Sequence, residues 1–289
     1  YDLIILSDTN RALYRTDQLE WFKRSVMDEG MGLMMVGGVE AFGGSDNPSW
    51  KGSFVEDALP VSCVDGKTFG ASFRVTSNCP EDPFIKSLPW NTMPPFGGMN
   101  VVEPKEGSKI LLRIVLDPKY PVLVYWEYGK GCGLAHTPDW TPSWGQSVMY
   151  DWEFYADYVD NMNFLNAGAR IPEDLDLLHV IRTKFGDYFT RRALAISLME
   201  FVEKFGARIS SAERSLGQIG LVERNGEELY LDQDYTGALA KLEETEEMFS
   251  VLSDEMMKLR ERALFWTYMV EWFAVTGTTM VCGGLLWTL

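Results

Sequence analysis

Two short stretches hold most of the groups that could do chemistry. "VGGVEAFGG" sets Gly38, Val39 and Glu40 in a tight turn after one apolar run, and "HTPD" sets His136, Thr137 and Asp139 after another. Asp8 follows a third apolar run, Leu3 to Leu6. If those runs are neighbouring strands, Asp8, Glu40, Thr137 and Asp139 meet in the crevice at the strand ends, where α/β sheets usually bind ligands. Acidic and hydroxyl oxygens there could hold a hard cation or hydrogen-bond a sugar or peptide. The same residue types serve equally as N-caps and turn formers.

Other candidate chemistry is thinner. The chain has four cysteines, Cys63, Cys79, Cys132 and Cys282, and two histidines, His136 and His179, with no C-x-x-C pair. That inventory is too small for a Cys/His zinc site, and no metal or cofactor is implied. Cys63 and Cys79 flank a candidate hairpin, "CVDGKTFGASFRVTSNC", and are either bridged in an oxidising compartment or two free thiols. "GKG", Gly129 to Gly131, lacks the spacing and trailing Ser or Thr of a P-loop and reads as a hairpin turn. Trp140, Trp144, Trp152, Phe154, Tyr155 and Tyr158 could stack on sugars, but such a cluster more commonly packs a core.

The elements that must position these groups alternate strand and helix over the first half of the chain. Leu3 to Leu6 is a continuous apolar run, as a strand buried on both faces requires. "TDQLEWFKRSVMDEG" then places Leu19, Phe22 and Val26 on one stripe and ends at Gly30, before the strand "GLMMVGG". The unit is a βαβ crossover, right-handed by rule. "SKILLRIV" and "PVLVYWEYGKGCGLAHT" supply later strands, and the aromatic-rich helix "WEFYADYVDNMNFLNAG" closes the region near Gly168.

Beyond Pro172 the texture becomes helical. Apolar residues recur three and four apart in two long arms, Asp174 to Val222 and Tyr235 to Arg262, the pattern of an antiparallel helical hairpin. No proline interrupts residues 236–289, so one nearly continuous helix about 80 Å long is expected there at ~1.5 Å per residue. Its end, residues 263–289, carries Glu271 as its only acidic or basic side chain, with Trp266, Tyr268, Trp272 and Trp287 placed like an aromatic belt. That predicts a transmembrane helix.

The balance of 26 Lys+Arg against 42 Asp+Glu, a net charge of -16, repels phosphate backbones and so argues against nucleic acid as a partner. The chain begins at Tyr1 inside an apolar strand and ends at Leu289 inside an apolar run, and the expectation is that residues are missing at both ends.

Taken in order, "YDLIILSD", "GLMMVGGVEAFGG", "VEPKEGSKILLR", "VLVYWEYGKGCGLAHTPDWTPSWG" and "WEFYADYVDNMNFLNAG" resemble the class I glutamine amidotransferase-like domains of prokaryotic, archaeal, membrane-associated proteins. The resemblance covers residues 1 to 168 and implies a flavodoxin-like sheet whose first strand lies upstream of Tyr1. Active members of that class present a cysteine thiolate on a Gly-x-Cys-x-Gly turn and a histidine from a later His-Pro-Glu, since only a deprotonated thiol attacks the amide. Here Gly38, Val39 and Glu40 occupy the turn, and Thr137 takes the histidine's place ahead of Pro138 and Asp139. His136 is one residue early and should point to the opposite face. The resemblance therefore implies no catalytic residues and no glutaminase activity.

The expected architecture is thus an α/β amidotransferase-like domain over 1–168, a helical hairpin stalk over 169–262 and a transmembrane helix over 263–289. The expected function is a non-catalytic, membrane-anchored scaffold or interaction subunit of a cell-envelope complex. Its partners are the lipid bilayer and other subunits or a second copy, met through the hairpin and the span. The alternatives are an extracytoplasmic carbohydrate or peptide binder and a hydrolase re-using the crevice through Glu40 and Asp139. Lys258, Arg260 and Arg262 before the span would keep the domain in the cytoplasm by the positive-inside rule, whereas the possible disulfide and the family's membrane context place it outside. The expectation adopted is a single-pass protein with an extracytoplasmic domain.

Overall fold

A run of apolar residues with no polar partner on either face can be satisfied only between two layers, and the strand β2, Gly32–Val36, is buried at all five positions. In the computed structural model, which describes residues 2–44, 49–172 and 174–288, it lies inside a six-stranded sheet. β1, Leu3–Ser7, pairs with it in parallel on one side, and β8, Gly131–His136, in parallel on the other. Then β7, Pro121–Tyr128, β6, Lys109–Ile114, and β4, Val75–Thr76, follow outward as antiparallel neighbours, giving the order β1-β2-β8-β7-β6-β4. A separate antiparallel pair joins β3, Val61–Phe69, to β5, Met99–Pro104.

Period-2 alternation distributes the strand side chains between two cores. Leu33 and Met35 of β2 join Ala135 of β8 and the buried stripe Leu19 and Val26 of α1, Thr16–Glu29. Met34 and Val36 join Leu134 on the other face, under Tyr158 and Met162 of α5, Tyr155–Asn166. Full burial of each such aliphatic side chain contributes about 1.5–3 kcal/mol. α1 stops as its sequence signals, with Gly30 in the left-handed region at φ +87°. The β7–β8 connection is the expected two-residue hairpin: Tyr128 pairs with Gly131, and Gly129 has φ +63°. The "CVDGKTFGASFRVTSNC" segment is not a hairpin, because β3 pairs with β5 while β4 pairs with β6 in the other sheet. Cys63 and Cys79 are accordingly free thiols.

Residues 176–289 form a second compact unit. It holds three helices where two arms were expected: α6, Leu175–Lys204, α7, Ser210–Leu231, and α8, Tyr235–Thr288. The first arm breaks at Gly206, whose φ is +80° and which follows Lys204 and Phe205 as a left-handed helix terminator. Tyr188 and Val202 of α6, Ala212 and Ile219 of α7, and Phe249, Leu252 and Met256 of α8 make its core. α8 is the one continuous helix anticipated, 54 residues long.

The transmembrane expectation is overturned. Among the described residues, which exclude Leu289, no helix is long and apolar enough to cross a membrane. Thr267, Tyr268, Glu271, Thr276, Gly277, Thr278 and Thr279 interrupt the apolar side chains along this end of α8. The single-pass anchoring, and with it the extracytoplasmic placement of the domain, has no such helix to rest on.

Candidate functional site

Parallel register brings the ends of three strands level: Ser7 lies opposite Val36, and Val36 opposite His136. The residues that follow them therefore meet at one edge of the sheet. Asp8 takes a left-handed backbone, φ +39°, which a short polar side chain tolerates better than most. Its Oδ1 accepts from the Glu40 N–H at 2.8 Å, tying the β2 turn to the end of β1. The turn is tight: a Cβ on Gly37 would lie 1.9 Å from the Thr137 carbonyl oxygen, and one on Gly38, φ +145°, 2.2 Å from the Asp8 carboxyl.

Asn100 of β5, which the sequence reading did not single out, holds this edge together. It is buried, accepts from Gly38 N–H at 2.9 Å through Oδ1, donates through Nδ2 to the Gly38 and Ala41 carbonyls, and donates its own N–H to Thr137 O at 3.0 Å. Its signal was a lone amide in the apolar stretch "MNVV". Trp50, fully buried, completes the clamp by directing Nε1 to the carbonyls of Thr9 and Glu40 at 3.1 and 3.2 Å.

Asp8, Gly38, Val39 and Glu40 are thus brought together, with Thr137 adjoining through Gly37 and Asn100. Thr137 is fully buried and spends its hydroxyl on the Pro121 and Val122 carbonyls, at 3.2 and 3.1 Å. Asp139 turns into its own loop, its Oδ1 accepting from the N–H groups of Thr141, Trp144 and Gly145 and its Oδ2 from the Thr141 hydroxyl. That is an Asx-type turn anchor. Val39 is half exposed at the crest, with Glu40 partly exposed beside it.

His136 lies on the other side of its strand in an aromatic box of Phe96, Trp140 and Tyr158, with ring centroids 5.7 to 6.0 Å away. Nδ1 lies 3.0 Å from the Pro138 carbonyl, which can only accept, so Nδ1 carries the proton of the neutral ring. Nε2, the Trp140 Nε1 and the Tyr158 hydroxyl are buried without a partner. Complete burial, only partly offset by the Pro138 bond, depresses the imidazole pKa to about 3. The ring is neutral throughout the neutral range and fully buried.

The thiols are elsewhere. Cys63 is on β3, beside Glu56, and burial raises its pKa far above the usual thiol range. Cys132 starts β8, at the opposite end of the strand from His136, and is held protonated by burial with a pKa of about 11. The turn after β2 also runs through 39–44 without a helix, and among the described residues the next helix, α2, begins at Phe54. Val39 is not among the residues with positive φ; the non-glycine residue that takes the left-handed region in this turn is Phe42, φ +51°, whose fully buried ring is no nucleophile.

The family model described as "Putative glutamine amidotransferase" matches residues 1–167. The chain belongs to this glutamine amidotransferase-like family. Among solved structures, the amidotransferase-like chain is similar to the cytoplasmic protein STM3548 from Salmonella typhimurium, with 25% identity and a TM-score of 0.49 over 57% of this chain and 72% of that one. It is similar also to the cytoplasmic protein STM1381 from Salmonella typhimurium LT2, at 24% identity and a TM-score of 0.48 over the same shares. No curated protein matches it. The match ends within one residue of the expected domain limit at 168, so the three strand ends and their clamp all lie within the amidotransferase-like domain.

Proposed function

We propose that the chain is a non-catalytic member of its family that works as an interaction subunit, with the helical unit making the main partner contact. The observation that carries this reading is the crevice itself. It offers a valine where the family's chemistry needs a thiolate, the two buried thiols sit on β3 and at the far end of β8 and are held protonated by burial, and the nearest imidazole is sealed in an aromatic box and neutral. Among the described residues, the crevice supplies neither the thiolate nor the imidazole that covalent amide hydrolysis in this family requires.

Re-use of the crevice for other hydrolysis through Glu40 and Asp139 finds less support. Asp139 already accepts from three backbone N–H groups and a hydroxyl, and Asp8 is engaged by the Glu40 N–H. The test is ammonia release from glutamine by the purified full chain. The expected result is a rate equal to the buffer blank; release that disappears on substitution within 38–40 overturns the proposal.

A further inference from the structure

The helical unit contains two exposed apolar features. The first is a groove of about 570 Å³ between α6 and α8, walled by Leu194, Leu198, Phe201, Leu252 and Met256, in which Arg191 is the only charged side chain. The second is the end of α8. Ala263 is its last buried residue among those described, and beyond it Phe265, Trp266, Val270, Trp272 and Phe273 are each about 60–67% exposed. From 264 to 288 the helix carries one charge, Glu271. Arg191 shares its carboxylate partner, Glu246 at 3.9 Å, with Lys184 at 2.7 Å, which leaves this wall of the groove net positive, and an incoming helix whose one charge is an anion is complementary to it.

The helix directions make the match geometrically available. Lys184 pairs with Glu246 at 2.7 Å and Tyr188 stacks near Phe249 at 5.7 Å, so α6 and α8 run parallel, whereas Ser211 bonds Glu255 at 2.7 Å and places α7 antiparallel. α8 consequently continues past the end of α6 at Lys204, as a free apolar helix.

We propose that a second copy of this chain lays the end of its α8, antiparallel, in the α6–α8 groove, its Glu271 meeting Arg191. In that register the incoming segment from Leu264 to Tyr268 falls over Leu194, Leu198, Met256 and Met257, because positions descend along one helix as they climb the other. The arrangement is isologous: the groove that receives and the helix that is received belong to both chains, so the dimer closes on itself. Large aromatic side chains bury up to ~150–250 Å² each, and two symmetric contacts of this kind reach the roughly 1,200–2,000 Å² of a stable interface. The proposal deepens the interaction-subunit reading by naming the partner, but does not require an inactive crevice.

The experiment is analytical ultracentrifugation of the full chain and three charge variants, Arg191→Glu, Glu271→Arg and the double exchange, with circular dichroism to confirm equal helicity. The wild type is expected to be a dimer at low micromolar concentration, each single reversal to weaken it at least tenfold, and the double exchange to restore it. A monomeric wild type, a higher open assembly, a dimer indifferent to the single reversals, or a double exchange that stays as weak as the singles would each overturn the proposal. Ammonia release measured on the same samples reports on the crevice separately: a dimer that hydrolyses glutamine would sink the non-catalytic reading and leave this one standing.

Discussion

His136 shows how a residue type suggestive of catalysis becomes a structural element. Its ring is an aromatic filler between Phe96 and Tyr158, and its charge has been suppressed rather than used. Because its folded pKa, about 3, lies below the ~6.5 of an unfolded histidine, the unfolded chain binds the extra proton. Its contribution is therefore fully present above pH ~6.5 and is lost as pH falls toward 3, at up to ~1.4 kcal/mol per pH unit and about 4–5 kcal/mol in all. Urea unfolding of wild type and His136→Phe between pH ~7 and ~4 should show a shallower pH dependence in the variant, by one proton. Parallel curves would contradict a buried neutral imidazole. Asp8 and Gly38 make a second test. Gly38→Ala should cost on the order of 3 kcal/mol or more, since the new methyl meets the Asp8 carboxyl and φ is +145°. Adding Asp8→Gly should recover part of that loss, because it removes the opposing atoms while giving up one charge-assisted bond worth ~1.5–3 kcal/mol. Strict additivity in that double-mutant cycle would mean the two positions do not touch.

At the scale of elements, the break between α6 and α7 is set by one residue. Gly206 has φ +80° and nothing within 4 Å of where a Cβ would stand, so the position is left-handed without being crowded. Gly206→Ala should accordingly destabilise the helical unit by about 1–2 kcal/mol, the conformational cost alone, and Gly206→Asn by less. Denaturant midpoints decide it: an Asn variant weaker than the Ala variant would show that something other than backbone handedness governs the break. α8 makes the complementary point. Nothing in its sequence stops it, yet among the described residues Ala263 is the last that it buries.

Across the whole molecule, the two units have separate cores. The sheet domain is built on the two clusters either side of β2, and residues 176–289 on the cluster around Phe249 and Leu252. Cooperativity follows shared burial, so calorimetry of the full chain should show two transitions, with a van't Hoff enthalpy below the calorimetric one. Substituting Leu252→Ala, at a typical cost of ~2–5 kcal/mol, should lower one transition and leave the other in place. A single transition that moves as a whole would refute independent units.

The sequence alone determined the features that depend on local pattern. The apolar run at Leu33 to Val36, the stripe ending at Gly30, the Gly129 turn and the unbroken length of α8 follow from periodicity and backbone handedness, and all were legible. The Gly206 break was legible too, since a glycine after Lys204 is a helix-end signal, but it was read through because apolar spacing continued on both sides. The membrane reading rested on the apolar length of residues 263–289, and among the described residues no helix is long and apolar enough to cross a membrane. Other features were decided only by tertiary structure. That β3 leaves β4 for β5, that Asn100 reaches from β5 to the turn after β2, and that Asp139 faces its own loop rather than the crevice depend on pairing between distant segments. Hydrogen-bond capacity is a property of a residue, but which partner takes it up is settled by the fold, because a buried polar group must be satisfied by whatever the packed chain brings within about 3 Å.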